Sequence, residues 1–216
     1  MFVLLCLSAP ALAQGGPPGV MPPDEGPPAL DDLGESVLPE ADGQEGARPA
    51  IAPEDDAASE LDALFERLRT AEDPAEAKPV VADIQRRWMR SGSATVDLLM
   101  TRAGTAMQAR DLGLALDLLD MVTRLAPDYP EGWNRRATVL YLKEDFGRAL
   151  VDIERVLALE PRHWGAMSGL AIILRRVGRD EDAIATFHQI LKIHPMSEHA
   201  RKSLETLAAE SAGSPT

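Results

Sequence analysis

The sequence predicts an all-α solenoid of antiparallel helix hairpins behind an extended N-terminal tail. Three observations predict it. Aromatic residues make up only 4% of the 216, while Ala and Leu abound, which favours helices over a sandwich or barrel. From residue 57 onward apolar residues recur at i, i+3, i+4 and i+7, the spacing of one helix face. Between residues 96 and 195, whole columns of apolar residues recur every 34 positions.

Taken in order, residues 2–9 form a short apolar run, and Ala11-Leu12-Ala13 before Gln14 fits the small-x-small rule for signal peptidase, so residues 1–13 read as an export signal. No Lys or Arg precedes the run, which a complete signal would carry. The run is too short for a permanent span, which takes about 20 residues, so no integral membrane segment is expected in the mature chain. Cleavage after Ala13 removes Cys6, the only cysteine, and with it any disulfide, thiol or Cys-based metal chemistry. Residues 14–56 follow as a disordered Pro/Gly/acidic tail: the pairs Pro17-Pro18, Pro22-Pro23 and Pro27-Pro28 stand among acids and few large apolar residues, so burial cannot offset the entropy of ordering.

Acidity is concentrated there. Residues 14–60 hold twelve Asp and Glu against Arg48 alone, net −11, whereas 61–216 hold 23 acids and 21 bases, net −2. A total of −13 argues against nucleic acid, which needs a basic face to release phosphate counterions.

Residues 57–93 predict a divergent helix pair capping the N-terminal end of the array. Leu61, Leu64, Phe65 and Leu68 share one face, Asp73-Pro74 interrupts, and a second helix entered through Lys78-Pro79 presents Val80, Val81, Ile84 and Trp88 before Ser91-Gly92-Ser93. Three repeats follow at 96–129, 130–163 and 164–197. Pro127, Pro161 and Pro195 mark the period, and the columns Leu125/Leu159/Ile193, Val122/Val156/Ile190, Leu119/Ile153/Phe187, Ala115/Ala149/Ala183, Ala106/Leu140/Leu174, Ala103/Ala137/Ala171 and Leu99/Trp133/Met167 keep it. Alanines at fixed points let two helices approach closely, and each proline ends its helix. Asp111, Asp145 and Asp180 are expected to cap the second helix of each hairpin, and Ser197 a closing helix at 198–210 bearing Ala200, Leu204 and Leu207.

These columns resemble the tetratricopeptide repeat (TPR) family. Trp133 stands at its first aromatic position, Gly178 at its turn glycine, Phe146 at its turn aromatic and Phe187 at its second-helix aromatic; Leu99 and Met167 depart from the usual Trp, and Arg102 and Arg136 from the usual Leu. The runs Ser91 to Leu99 and Glu131 to Ala137, with the signal and acidic tail, look like exported TPR proteins of alphaproteobacteria. That resemblance implies a periplasmic place and a role in envelope maintenance.

No catalytic set is visible. His163, His188, His194 and His199 lie in no metal-binding spacing and read as ordinary surface histidines, and no phosphate loop or nucleophile elbow occurs, so no enzyme activity, cofactor or metal is expected. The TPR resemblance instead implies a concave groove lined by Asp97, Met100 and Met107, then Glu131, Asn134, Thr138 and Tyr141, then Ser168, Ile172 and Arg175. This mixture suits an extended peptide or a helix of another protein. Where family members grip a terminal carboxylate with Lys, Asn and Arg, this chain has Met100, Gly104, Gly165 and Gly169. The expected function is a non-catalytic adaptor in the periplasm; the alternatives are a structural, self-associating repeat protein or an accessory subunit of an envelope enzyme.

Overall fold

A computed structural model of the chain describes residues 54–213; the expected signal segment and the tail up to residue 53 lie outside the described residues. Among the described residues there are nine helices and no strand: α1 (Glu54–Thr70), α2 (Pro74–Trp88), α3 (Ala94–Gln108), α4 (Leu112–Leu125), α5 (Pro130–Leu142), α6 (Phe146–Leu159), α7 (Trp164–Arg176), α8 (Asp180–Ile193) and α9 (Glu198–Gly213). None of them is long and apolar enough to cross a membrane.

Local chemistry sets the ends. Asp111 and Asp145 accept the amides of Leu114 and Arg148 and cap α4 and α6. Asp180 does not act this way: the position in register is 179, where Arg179 supplies no side-chain cap, and Asp180 is the first residue of α8, favoured there by the helix dipole. Each turn between the two helices of a hairpin needs one left-handed residue. Gly178 supplies it in the third hairpin at φ +76°, but Arg110 and Glu144 take φ near 60° in the first two, where a Cβ makes that conformation costly.

Helix α2 begins at Pro74, not through Lys78-Pro79. Asp73 accepts the Glu76 amide and Pro74 occupies the first turn, a stronger start than the second proline; Pro79 is carried inside the helix. Helix α1 starts at Glu54, three residues before the expected 57.

Helices α3/α4, α5/α6 and α7/α8 form three hairpins, and each second helix packs on the first helix of the next, ending with α9 on α8. The alanine columns explain the closeness: Ala103, Ala115, Ala149, Ala171 and Ala183 are wholly buried. Gly132 is needed for the same reason, since a Cβ there would stand 2.6 Å from Val122 of the preceding hairpin. Arg136, where the family prefers Leu, ties two hairpins together. Its guanidinium forks onto Asp152 of α6 at 2.8 and 2.7 Å and reaches Asp120 and Thr123 of α4, both at 3.0 Å.

The α1–α2 pair does not cap the first hairpin as expected. It packs on the third, where Leu64, Phe65, Leu68, Val80 and Ile84 share one core with Trp164, Phe187 and Ile190. Aromatic burial explains the choice. Trp88 stacks on His163 at 4.2 Å and packs on Trp164 at 4.5 Å, Phe65 adds a 6.0 Å edge contact to Trp164, and Arg162 lies 4.0 Å over the Phe65 ring while pairing with Asp62 at 2.6 Å. The first hairpin offers no aromatic partner of this kind.

Candidate binding groove

The inner helices α3, α5 and α7 carry all ten expected groove residues, but their surroundings differ. On α3, Met100 is 2% exposed and belongs to the core of the first hairpin, where it packs with Val96 and Ala103, while Met107 is half-buried beside that core. Asp97 is half-buried and accepts the Ser91 amide at 3.1 Å and the Ser91 hydroxyl at 2.6 Å. On α7, Ser168 is buried with its hydroxyl donated to the Trp164 carbonyl, and Arg175 pairs with Glu210 of α9 at 3.0 Å.

Asn134, Thr138, Tyr141 and Ile172 are brought together. They line a narrow groove of about 20 Å³ between α5 and α7, floored by Ala137, Ile153 and Ile173. Gly165 and Gly169 put no side chain of α7 into its upper part, which keeps it open there. Thr138 donates to the Asn134 carbonyl at 3.1 Å, and the Tyr141 ring rests 5.7 Å from Phe146. Burial, with a smaller contribution from Glu144, raises the Tyr141 pKa against the charge of Arg176, so the phenol remains a neutral donor.

At the mouth of the groove Glu131 is buried and fully engaged. It accepts from Asn134 Nδ2 at 3.1 Å and Arg135 Nε at 3.3 Å, and lies 3.2 Å from His163 Nε2. Burial is the strongest single influence and resists ionisation. The hydrogen bonds and charges of His163 and Arg135 together outweigh it and hold the carboxyl below its ordinary pKa.

The surface reading of the histidines is corrected here for His163, which is 2% exposed. Its Nδ1 accepts the Ala166 amide and so caps α7, its Nε2 faces Glu131, and Trp88 covers its ring. His194 and His199 are half-buried, and only His188 is exposed. Among the described residues no group of three or more His, Cys, Asp or Glu stands close enough to hold a metal ion.

Trp88 and Met89 were missed as parts of this site. The end of α2 and its link to α3 run across the first turns of all three inner helices, touching Trp164, donated to by Arg135 at the Met89 sulfur (3.0 Å), and bonded through Ser91 to Asp97. A large ring at a helix end next to Ser-Gly-Ser was the available signal. Its destination, some 75 residues away in sequence, was not.

Comparison with known proteins agrees with this architecture. A family profile described as tetratricopeptide repeat matches residues 140–209. A TPR repeat-containing protein of Rhizobium etli is 40% identical over 156 residues, which cover 72% of this chain and 76% of that protein. Tetratricopeptide repeat protein 36 of Bos taurus is 34% identical over 113 residues, covering 50% of this chain and 59% of that protein. Among solved structures, the first TPR of Spaghetti (RPAP3) bound to the HSP90 peptide SRMEEVD superposes with a TM-score of 0.53 at 18% identity, covering 56% of this chain and 96% of that one. MamA superposes with a TM-score of 0.51 at 16% identity, covering 77% and 87%. With the hairpin stack and its 34-residue columns observed, and a relative of 40% identity matched over most of its length, the chain belongs to the tetratricopeptide repeat family.

Proposed function

We propose that this chain is a non-catalytic interaction scaffold that receives an extended peptide or helix of another protein in the α5–α7 cleft. The observation that carries the reading is the cleft itself, with an amide, a hydroxyl and a phenol from Asn134, Thr138 and Tyr141 set over an apolar floor. Such an arrangement holds a peptide laid along it by hydrogen bonds and apolar contact. The RPAP3 domain, of the same fold, holds a peptide of HSP90. The grip on a terminal carboxylate is not expected here, because Met100 is buried and Gly104, Gly165 and Gly169 offer no cation.

The partner's path is short. The chain's own Trp88 to Ser91 segment covers the first turns of the inner helices, leaving the stretch from Asn134 towards Ile172 for a guest. The proposal includes export through the N-terminal segment and a periplasmic, envelope-associated role, supported by the Ala11-Leu12-Ala13 site.

The test is a crosslinked pull-down from periplasm with wild type and the double variant Asn134→Ala/Tyr141→Phe. The phenylalanine keeps the ring packing, so the melting temperature should hold while capture of the specific partner is lost. Undiminished capture by the double variant removes the cleft from the account. Mass spectrometry of the mature N-terminus tests export, and an uncleaved chain counts against it.

A further inference from the structure

The opposite end of the array carries a second surface, distinct from the cleft. Each hairpin has a leading edge, the side turned towards its predecessor. On α6 that edge is identified by Arg155, which bonds the Pro127–Asp128 link, and by Asp152, which Arg136 of its own hairpin joins to Asp120 of α4. Register maps Leu114, Leu118, Met121 and Leu125 of α4 onto Arg148, Asp152, Arg155 and Leu159 of α6, and onto Asp182, Thr186, Gln189 and Ile193 of α8. The first hairpin therefore has four large apolar residues in a row where its two successors have mostly polar ones.

That is the reverse of what solvent exposure asks. A terminal repeat facing water carries a polar outer face. Yet Leu114 is 49%, Met121 40%, Leu125 61% and the neighbouring Leu98 of α3 52% exposed. The α1–α2 pair, which would be the natural cover, is docked on the third hairpin. A preceding repeat of ordinary geometry does not fit either. At the place where Gly132 and Ala166 allow close approach in the later hairpins, the first has Leu98.

We propose that this edge binds the same edge of a second copy across a two-fold axis. Charge selects the occupant. The side chains of Arg102, the counterpart of the bridging Arg136, and of Asp117, between Leu114 and Leu118, make no hydrogen bond or ion pair among the described residues. The stripe is thus flanked by one unused charge of each sign, and a two-fold axis offers each of them its opposite on the partner copy. Among the described residues the trailing end is covered by α9, whose Arg201, Lys202 and Glu205 are exposed, which offers head-to-tail growth a polar face, so association stops at two. The face of two helices of this length spans about 22 by 20 Å, roughly 450 Å² of flat area per copy. That is at the small end of specific interfaces, where association is weak and reversible, so the dimer is to be sought at micromolar concentrations and above.

Sedimentation velocity of the full chain across that range tests this. The expected mass rises from one copy to two and stops. Leu114→Glu/Met121→Glu, at positions already exposed, should leave a monomer at every concentration with unchanged helical circular dichroism. Arg102→Asp and Asp117→Arg singly each create two like-charge contacts and should weaken the dimer about tenfold, and the two together should restore it. A wild-type monomer throughout, including one whose α4 edge is shielded from hydrogen exchange by its own N-terminal segment, overturns the proposal. So do a dimer indifferent to Leu114→Glu/Met121→Glu, continued growth beyond two copies, or no recovery in the double charge reversal.

Discussion

Replacing Arg136 with Leu would restore the residue the family favours and should nevertheless destabilise the fold. The Asp152 side chain is 2% exposed and Arg136 holds both its carboxylate oxygens, while the guanidinium is 18% exposed and also binds Asp120. Removing one partner of a buried pair strands the other, at about 3 kcal/mol or more. The cation–π contact of Arg136 over Trp133, at 4.7 Å, adds up to about 1 kcal/mol. For a chain of this size a loss of about 3 kcal/mol lowers the melting temperature by roughly 6–12 °C. The half-exposed Asp120 loses little by comparison, and Thr123 keeps its bond to the Leu119 carbonyl. The first hairpin suggests the compensation, since Leu118 stands in register with Asp152. Arg136→Leu/Asp152→Leu removes both charges and should return to within about 1 kcal/mol of wild type, as apolar replacements of buried pairs do. Urea unfolding followed by circular dichroism measures both variants. A single variant as stable as wild type, or a double no better than the single, would show that the bridge does not join the hairpins energetically.

Three further outcomes follow from the same geometry. Desolvation, with a smaller contribution from Arg201, pushes the His194 pKa down to about 4. The folded chain therefore binds this proton more weakly than the unfolded one, so stability is full above about pH 6.5 and declines as pH falls towards 4; thermal melts at pH 7 and 5 should differ, and His194→Gln should reduce the difference. Trp88→Ala should cost about 2 kcal/mol, less than a fully buried tryptophan, and expose α1–α2 to limited proteolysis while α3–α9 resists; a pair that stays protected contradicts the docking role of the ring. Arg110→Gly relieves a left-handed arginine and should raise stability by up to about 1 kcal/mol in chemical denaturation, whereas a loss would mean the turn is unstrained.

The repeat was legible because it is written in buried residues: Ala115, Ala149 and Ala183 are all wholly enclosed, and so periodic burial appears directly as periodic sequence. The half of the groove that forms a cleft was legible through the family resemblance, which placed Asn134, Thr138, Tyr141 and Ile172 on the inner helices, where the structure brings them together. What escaped depends on contacts between distant segments. Nothing local distinguishes His163 from a loop histidine until Trp88 is laid on its ring and Glu131 beneath it. Met100 occupies a groove position by register, but the first hairpin closes over it. Arg110 and Glu144 conceal the turn that Gly178 announces, because a surface residue can adopt a left-handed backbone without altering the pattern around it.

One docking event accounts for both unusual features of this array. With α1–α2 docked on the third hairpin, Trp88 and Phe65 have Trp164 and His163 as partners. The same placement lays residues 89–91 over the mouth of the groove and leaves Leu98, Leu114, Met121 and Leu125 exposed. Groove access and the bare edge are therefore linked through Trp88. Loosening it should widen the groove and at the same time free a helix pair able to compete with a second copy for the edge. The two surfaces should then respond together to Trp88→Ala, with more peptide captured and less dimer formed, whereas dimerisation unchanged in that variant would separate them.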